Sequence, residues 1–123
     1  MTIEQEQRDD IVIFRMKMAL DGDAEALLHM YIKQLLGEGI TKVVVDSSRI
    51  PWAGSRMLGV LAAGLMTLRN AGGDLHLIQS DALSDLLKKT RLIHVFRIFE
   101  SVDEAVKGFA SPERPCREPS LDK

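Results

Sequence analysis

The chain has little of what most specialised protein chemistry requires. Its 123 residues include one cysteine, Cys116, which excludes an internal disulfide and any cysteine-rich metal site and fits a reducing compartment. Lysine and arginine never form a run: the densest cluster is Lys88, Lys89 and Arg91, and the formal net charge is −2. Nucleic-acid binding needs a basic stripe to match the phosphates, so no nucleic-acid partner is expected. The longest stretch without a polar side chain, Met57 to Met66, covers ten positions, about half of what a bilayer-spanning helix needs. No membrane insertion is expected. The first residues, Met1-Thr2-Ile3-Glu4-Gln5-Glu6, show no basic segment followed by an apolar one, so no signal peptide is expected and the cytoplasm is the expected location.

A catalytic constellation is also missing. His29, His76 and His94 fall on different expected elements, and a histidine beside an apolar segment is more often structural than a base or ligand. Asp21, Asp23 and Asp46 suit caps and turns better than a metal site. Gly59 and Gly64 lie inside an expected helix with no Gly-Lys-Ser/Thr after them, so they do not form a phosphate-cradling loop. Neither catalysis nor a cofactor or bound metal is expected.

What is present is an ordinary globular composition, 46% hydrophobic and 28% charged, in a length suited to one domain with one core. Ile11 to Met18 reads as a strand with a buried face, and Thr2 to Arg8 can pair with it through an Asp9-Asp10 turn. Asp21-Gly22-Asp23 supplies N-cap chemistry for a helix to about Leu36, with Leu27, Leu28, Tyr31 and Leu35 on one face. Lys42-Val43-Val44-Val45-Asp46 reads as a central strand, because consecutive valines offer no face to water. A second helix is expected over Ser55 to Asn70, a strand over Asp74 to Ile78, and a helix capped at Ser80-Asp81. A short edge strand at Arg97-Ile98-Phe99 and a helix from Ser101 to Phe109 complete the pattern. The expected domain is 1–110. Residues 111–123 hold three of the four prolines and little apolar surface, so a disordered tail is expected there. The fold class expected is α/β, a mixed sheet of about five strands covered by about four helices.

Three segments carry a family resemblance. Leu20-Asp21 follows the second strand; Val43 to Gly59 runs from a strand through Asp46-Ser47-Ser48 and Gly54-Ser55-Arg56-Met57 into Leu58-Gly59; and Asn70-Ala71-Gly72-Gly73-Asp74 makes a glycine turn into a strand. With the element order, these segments resemble the STAS family, the sulfate-transporter and anti-sigma-factor-antagonist fold, over about residues 11–109. In that resemblance Met18 replaces a glycine, Gly54 the aspartate of the family's Asp-Ser-Ser-Gly loop, Arg56 its second serine and Met57 its glycine. Ser55 retains the first serine.

The resemblance implies a protein-interaction module whose partner is an anti-sigma factor that is also a serine kinase, or another regulatory protein. In such antagonists the serine is phosphorylated by that partner, and the unmodified form binds it. The altered loop keeps a second reading open, a constitutive adaptor subunit of a lipid ABC transporter or of a signalling scaffold. Nothing in the sequence sets an oligomeric state.

On physical grounds Ser55 sits at a helix N-cap, where a hydroxyl satisfies a free N–H for about 1 kcal/mol. A phosphate there would meet unpaired N–H groups and the positive end of the helix dipole, with Arg49 and Arg56 as nearby cations. The apolar run that follows is either buried all round or presents a docking face. The expected partner-binding set is Asp21, Asp23, Trp52, Gly54, Ser55, Arg56, Met57, Val60, Leu61 and Gly64, with Ser55 the phosphorylation candidate.

Overall fold

Strand and helix periodicities alternate along the chain, and the computed structural model realises them in that order. It describes residues 3–16, 22–50 and 55–110, apart from the side chains of 22–25, 55 and 110. The strands are β1 (Ile3–Arg8), β2 (Ile11–Met16), β3 (Lys42–Asp46), β4 (Asp74–Ile78) and β5 (Arg97–Ile98), and the helices α1 (Gly22–Gly37), α2 (Ser55–Asn70), α3 (Asp81–Lys89) and α4 (Val102–Ala110). This is the expected α/β fold, a five-stranded mixed sheet with four helices. The tail beyond residue 110, and the ends of the first strand and helix expected at Met18 and Asp21, lie outside the described residues.

The sheet order is β1-β2-β3-β4-β5. β1 and β2 form an antiparallel hairpin through Asp9 and Asp10, with Asp9 at φ 55°, a conformation aspartate tolerates. The remaining pairs are parallel. Because the order never reverses, successive crossovers of one hand place α1, α2 and α3 on the same face.

Register divides the side chains between two cores. The row Gln5, Phe14, Val45, Leu77, Ile98 lies across the sheet, and the next row is Glu6, Ile13, Val44, His76, Arg97. Successive residues point to opposite faces, so the first row meets the three crossover helices and the second faces the other way. On the first face Val12, Phe14, Val43, Val45, Leu75 and Leu77 pack with Leu28 and Ile32 of α1, Leu61, Leu65 and Leu68 of α2, and Leu83 and Leu87 of α3. The opposite face holds a smaller cluster, Ile11, Ile13, Val44 and Ile78, under Ala105 of α4.

Gly73 shows how tightly the strand starts approach. A Cβ there would stand 1.8 Å from the Thr41 carbonyl oxygen, the same oxygen that accepts from the Asp74 N–H at 3.1 Å. Only glycine lets the chain enter β4 beside the start of β3.

Candidate functional site

The carboxyl ends of parallel strands are where loops can gather polar groups without interrupting the ladder, and here β3 ends at Asp46, followed by Ser47 and Ser48. Asp46 Oδ1 accepts from the Ser48 N–H at 3.0 Å and the Ser48 hydroxyl at 2.7 Å, so the carboxylate folds the chain back on itself. Ser47 is wholly buried and donates twice to the Ile78 carbonyl, from Oγ at 2.6 Å and N–H at 2.8 Å. Its own carbonyl accepts from the Ile50 N–H at 3.1 Å, and the Ile50 side chain is buried. The start of the β3–α2 connection is therefore tied to the end of β4.

α2 begins at Ser55 and runs for 16 residues. Ser55 thus stands at a helix N-terminus on the carboxyl edge of the sheet, where the first-turn N–H groups have no intrahelical acceptor. Trp52 and Gly54 lie outside the described residues, as does Asp21. Asp23 falls in the first turn of α1. Arg56 is exposed.

The remaining expected contacts require correction. Met57 and Leu61 are buried in the main core. Gly64 is buried as well, and a Cβ on it would meet Ile32 Cδ1 at 2.8 Å. These three residues pack α2 against α1 and the sheet and are not open to a partner. Val60 is half-buried against the same core. The solvent face of α2 carries instead Arg56, Gly59 and Met66, with Ala63 half-buried beside them and Met66 59% exposed. A stretch apolar on every side gives a hydropathy pattern no preferred face, so this division was not available from spacing.

Two hollows flank the connection. One, of about 250 Å³, is lined by Glu4, Arg15, Met16, Asp46 and Arg49. Arg15 also bonds Glu6, and that hydrogen bond, helped by a second from Arg8, holds the Glu6 carboxyl below the usual carboxylate range. The other, of about 440 Å³, has Ser48, Ser80, Asp81, Ser84 and Glu100 among its walls. Arg15, Ser84 and Glu100 were not singled out in the sequence. Strand pairing sets Arg15 beside Asp46 at the first hollow, and the paths of α3 and of the chain after β5 bring Ser84 and Glu100 to the second, which no local motif announces.

Among the described residues no group of three His, Cys, Asp or Glu side chains converges as a metal site would need. No described helix is long and apolar enough to cross a membrane. Among the described strands the order is unreversed, without the switch point at which open α/β sheets commonly seat ligands.

Comparison with known proteins agrees with this architecture. The family model for the STAS domain matches residues 2–105. Among solved structures, a candidate anti-sigma factor antagonist of Thermotoga maritima superposes with a TM-score of 0.79 at 22% identity, covering 86% of this chain and 92% of that one. An anti-sigma factor antagonist from Mycobacterium paratuberculosis gives a TM-score of 0.77 at 21% identity, over 89% and 94% of the two chains. The Bacillus cell fate determinant SpoIIAA in its phosphorylated form gives 0.72 at 17% identity, over 87% and 98%. At these identities the likeness is one of fold. No curated protein sequence matches the chain significantly.

Proposed function

The chain belongs to the STAS domain family, and on that premise we propose that it is a protein-interaction module of the anti-sigma-factor-antagonist type, acting without catalysis in the cytoplasm. Its partner on this reading is an anti-sigma factor with serine-kinase activity, and Ser55 is the residue whose phosphorylation switches the complex. The observation that carries the reading is the position of Ser55 as the first residue of α2, at the carboxyl edge of the sheet. A phosphate there would be met by free N–H groups and the helix dipole, so its charge of about −1.5 to −2 would alter the surface without unfolding the domain. That SpoIIAA, a structure of the same fold, has a phosphorylated form supports a fold able to carry the modification. Trp52, Gly54, Arg56 and Val60 are assigned to the contact surface with Ser55, together with Asp21 and Asp23 at the start of α1.

A second reading draws on the loop itself. Gly54 and Arg56 stand where the family's aspartate and second serine would be, which suits an adaptor that has left the phosphorylation cycle and supports a lipid ABC transporter or a signalling scaffold constitutively. The two readings separate in a pull-down with wild-type, Ser55→Ala and Ser55→Asp baits, read by mass spectrometry. A kinase-like prey lost only with Ser55→Asp is the expected result. The same prey on all three baits, with Ser55 unmodified, would refute the switch and leave the adaptor.

A further inference from the structure

Among the described residues, the face of the sheet opposite α1, α2 and α3 is covered by one short helix. α4 has nine residues, too few to be stable as an isolated helix, and it holds to the sheet through Ala105, Val102, Val106 and Phe109 over Ile11, Ile13, Val44 and Ile78. At its first turn Asp103 takes a hydrogen bond from Arg8 at 3.0 Å, an exposed pair worth little.

Beneath its last turn lies His76. The imidazole is 1% exposed, stacks on the Phe109 ring at 3.6 Å between centroids, and meets Phe99 at 4.6 Å. Gly108 permits the approach, since a Cβ there would stand 2.7 Å from the Phe99 ring and 3.1 Å from His76 Cε1. Nδ1 lies 2.8 Å from the Ala105 carbonyl oxygen, an acceptor, so Nδ1 carries the hydrogen and Nε2 is left as the site of protonation.

We propose that α4 is an acid-released latch, closed over neutral His76 and freed when that ring takes up a proton, so that the apolar strip Ile11, Ile13, Val44 and Ile78 is uncovered.

Burial disfavours the cation, and the Ala105 hydrogen bond and the Asp74 carboxylate, which favour it, offset that burial only in part. Asp74, on the same strand, approaches Nε2 at 3.7 Å, beyond hydrogen-bond distance, and its other oxygen is engaged by Arg69 from the end of α2 at 3.0 Å. Arg69 and Arg97, the latter on β5, both oppose a second positive charge. From β3 the register partner is Val44, and Lys42, two residues away, is bonded to Asp10. α4 itself turns Ala105, Gly108 and Phe109 to the ring, while Asp103, Glu104 and Lys107 are exposed. Burial dominates and holds the imidazole at about 4, against an ordinary 6.5.

The sign follows from linkage. With α4 released, the ring meets water and binds its proton near 6.5; with α4 docked, it does so only near 4. Release is therefore favoured progressively as pH falls from 6.5 towards 4, and the opening constant grows roughly thirtyfold between pH 7.5 and 5.0. This inference does not depend on the reading of Ser55.

Hydrogen exchange read by mass spectrometry on the full chain at pH 7.5 and 5.0, corrected for the intrinsic pH dependence of exchange, tests it. Amides of 102–109 are expected to open about thirtyfold more at pH 5.0 while those of β3 and α2 hold, and His76→Phe is expected to abolish the difference. Loss of protection in α4 and β3 together, or a pH effect that survives in the variant, would overturn the latch. If His76→Phe does not fold, NMR titration of the wild-type chain decides: loss of the native amide shifts of 102–109 in step with protonation of the His76 ring supports the latch, and a ring midpoint near 6.5, or a ring that protonates with those shifts unchanged, overturns it.

Discussion

Leu61 and Met66 are separated by roughly 140° around α2, and comparing them tests whether the helix divides into a core face and a free face. Leu61 is wholly buried among α1, the sheet and its own helix neighbours, whereas Met66 is 59% exposed. Leu61→Ala removes three buried carbons and leaves a cavity that close-packed neighbours fill only partly, a loss of about 3 kcal/mol. Met66→Ala removes little buried surface and is expected within about 0.5 kcal/mol of wild type. Urea unfolding followed by far-UV circular dichroism resolves the two. With a slope of about 1.5 kcal/mol per molar, the Leu61→Ala midpoint falls by about 2 M and the Met66→Ala midpoint by at most about 0.3 M. A Met66→Ala variant as destabilised as Leu61→Ala would mean that the outer face of α2 is packed as well, and the assignment of the two faces would fail.

Two further substitutions probe how the sheet and its helices are joined. Gly73→Ala drives a Cβ to 1.8 Å from the Thr41 carbonyl oxygen, a side-chain carbon with no rotamer to escape by against a backbone atom, and is expected to cost at least about 2 kcal/mol. Calorimetry should show Tm lower by about 8 °C or more, and an unchanged Tm would contradict the close approach of β3 and β4. Ser80→Ala removes the hydroxyl that accepts from the Leu83 N–H at 3.2 Å at the start of α3, a loss of about 1 kcal/mol; Ser80→Asp, which keeps the cap, should recover most of it in urea unfolding, and equal losses would rule out capping as the cause.

Much of the architecture was legible because local signals and tertiary packing agree. The triple valine at 43–45, with no polar face, lies at the sheet centre. Asp9-Asp10 makes the hairpin turn, and Ser80 caps α3. Such signals act over a few residues and survive whatever packs around them. The site was less legible. That α2 begins at Ser55 agrees with the expected start of the helix, but Met57, Leu61 and Gly64, expected to meet a partner, are core. Their neighbours on the helix are equally apolar, and only the position of α1 and the sheet decides which side is buried.

His76 illustrates the same division. From sequence it was one histidine beside apolar residues, expected to be structural. Its place under α4, between two phenylalanines from later in the chain, arises from strand register and the path of the last helix. The sequence by itself determined the order and type of the elements, the helix start at Ser55 and the resemblance to the STAS family, because periodicity, caps and turns are properties of neighbouring residues. Only the tertiary structure decided which face of α2 is buried, that Ser47 joins β3 to β4, and that His76 is sealed by α4, because those depend on contacts between residues far apart in the chain.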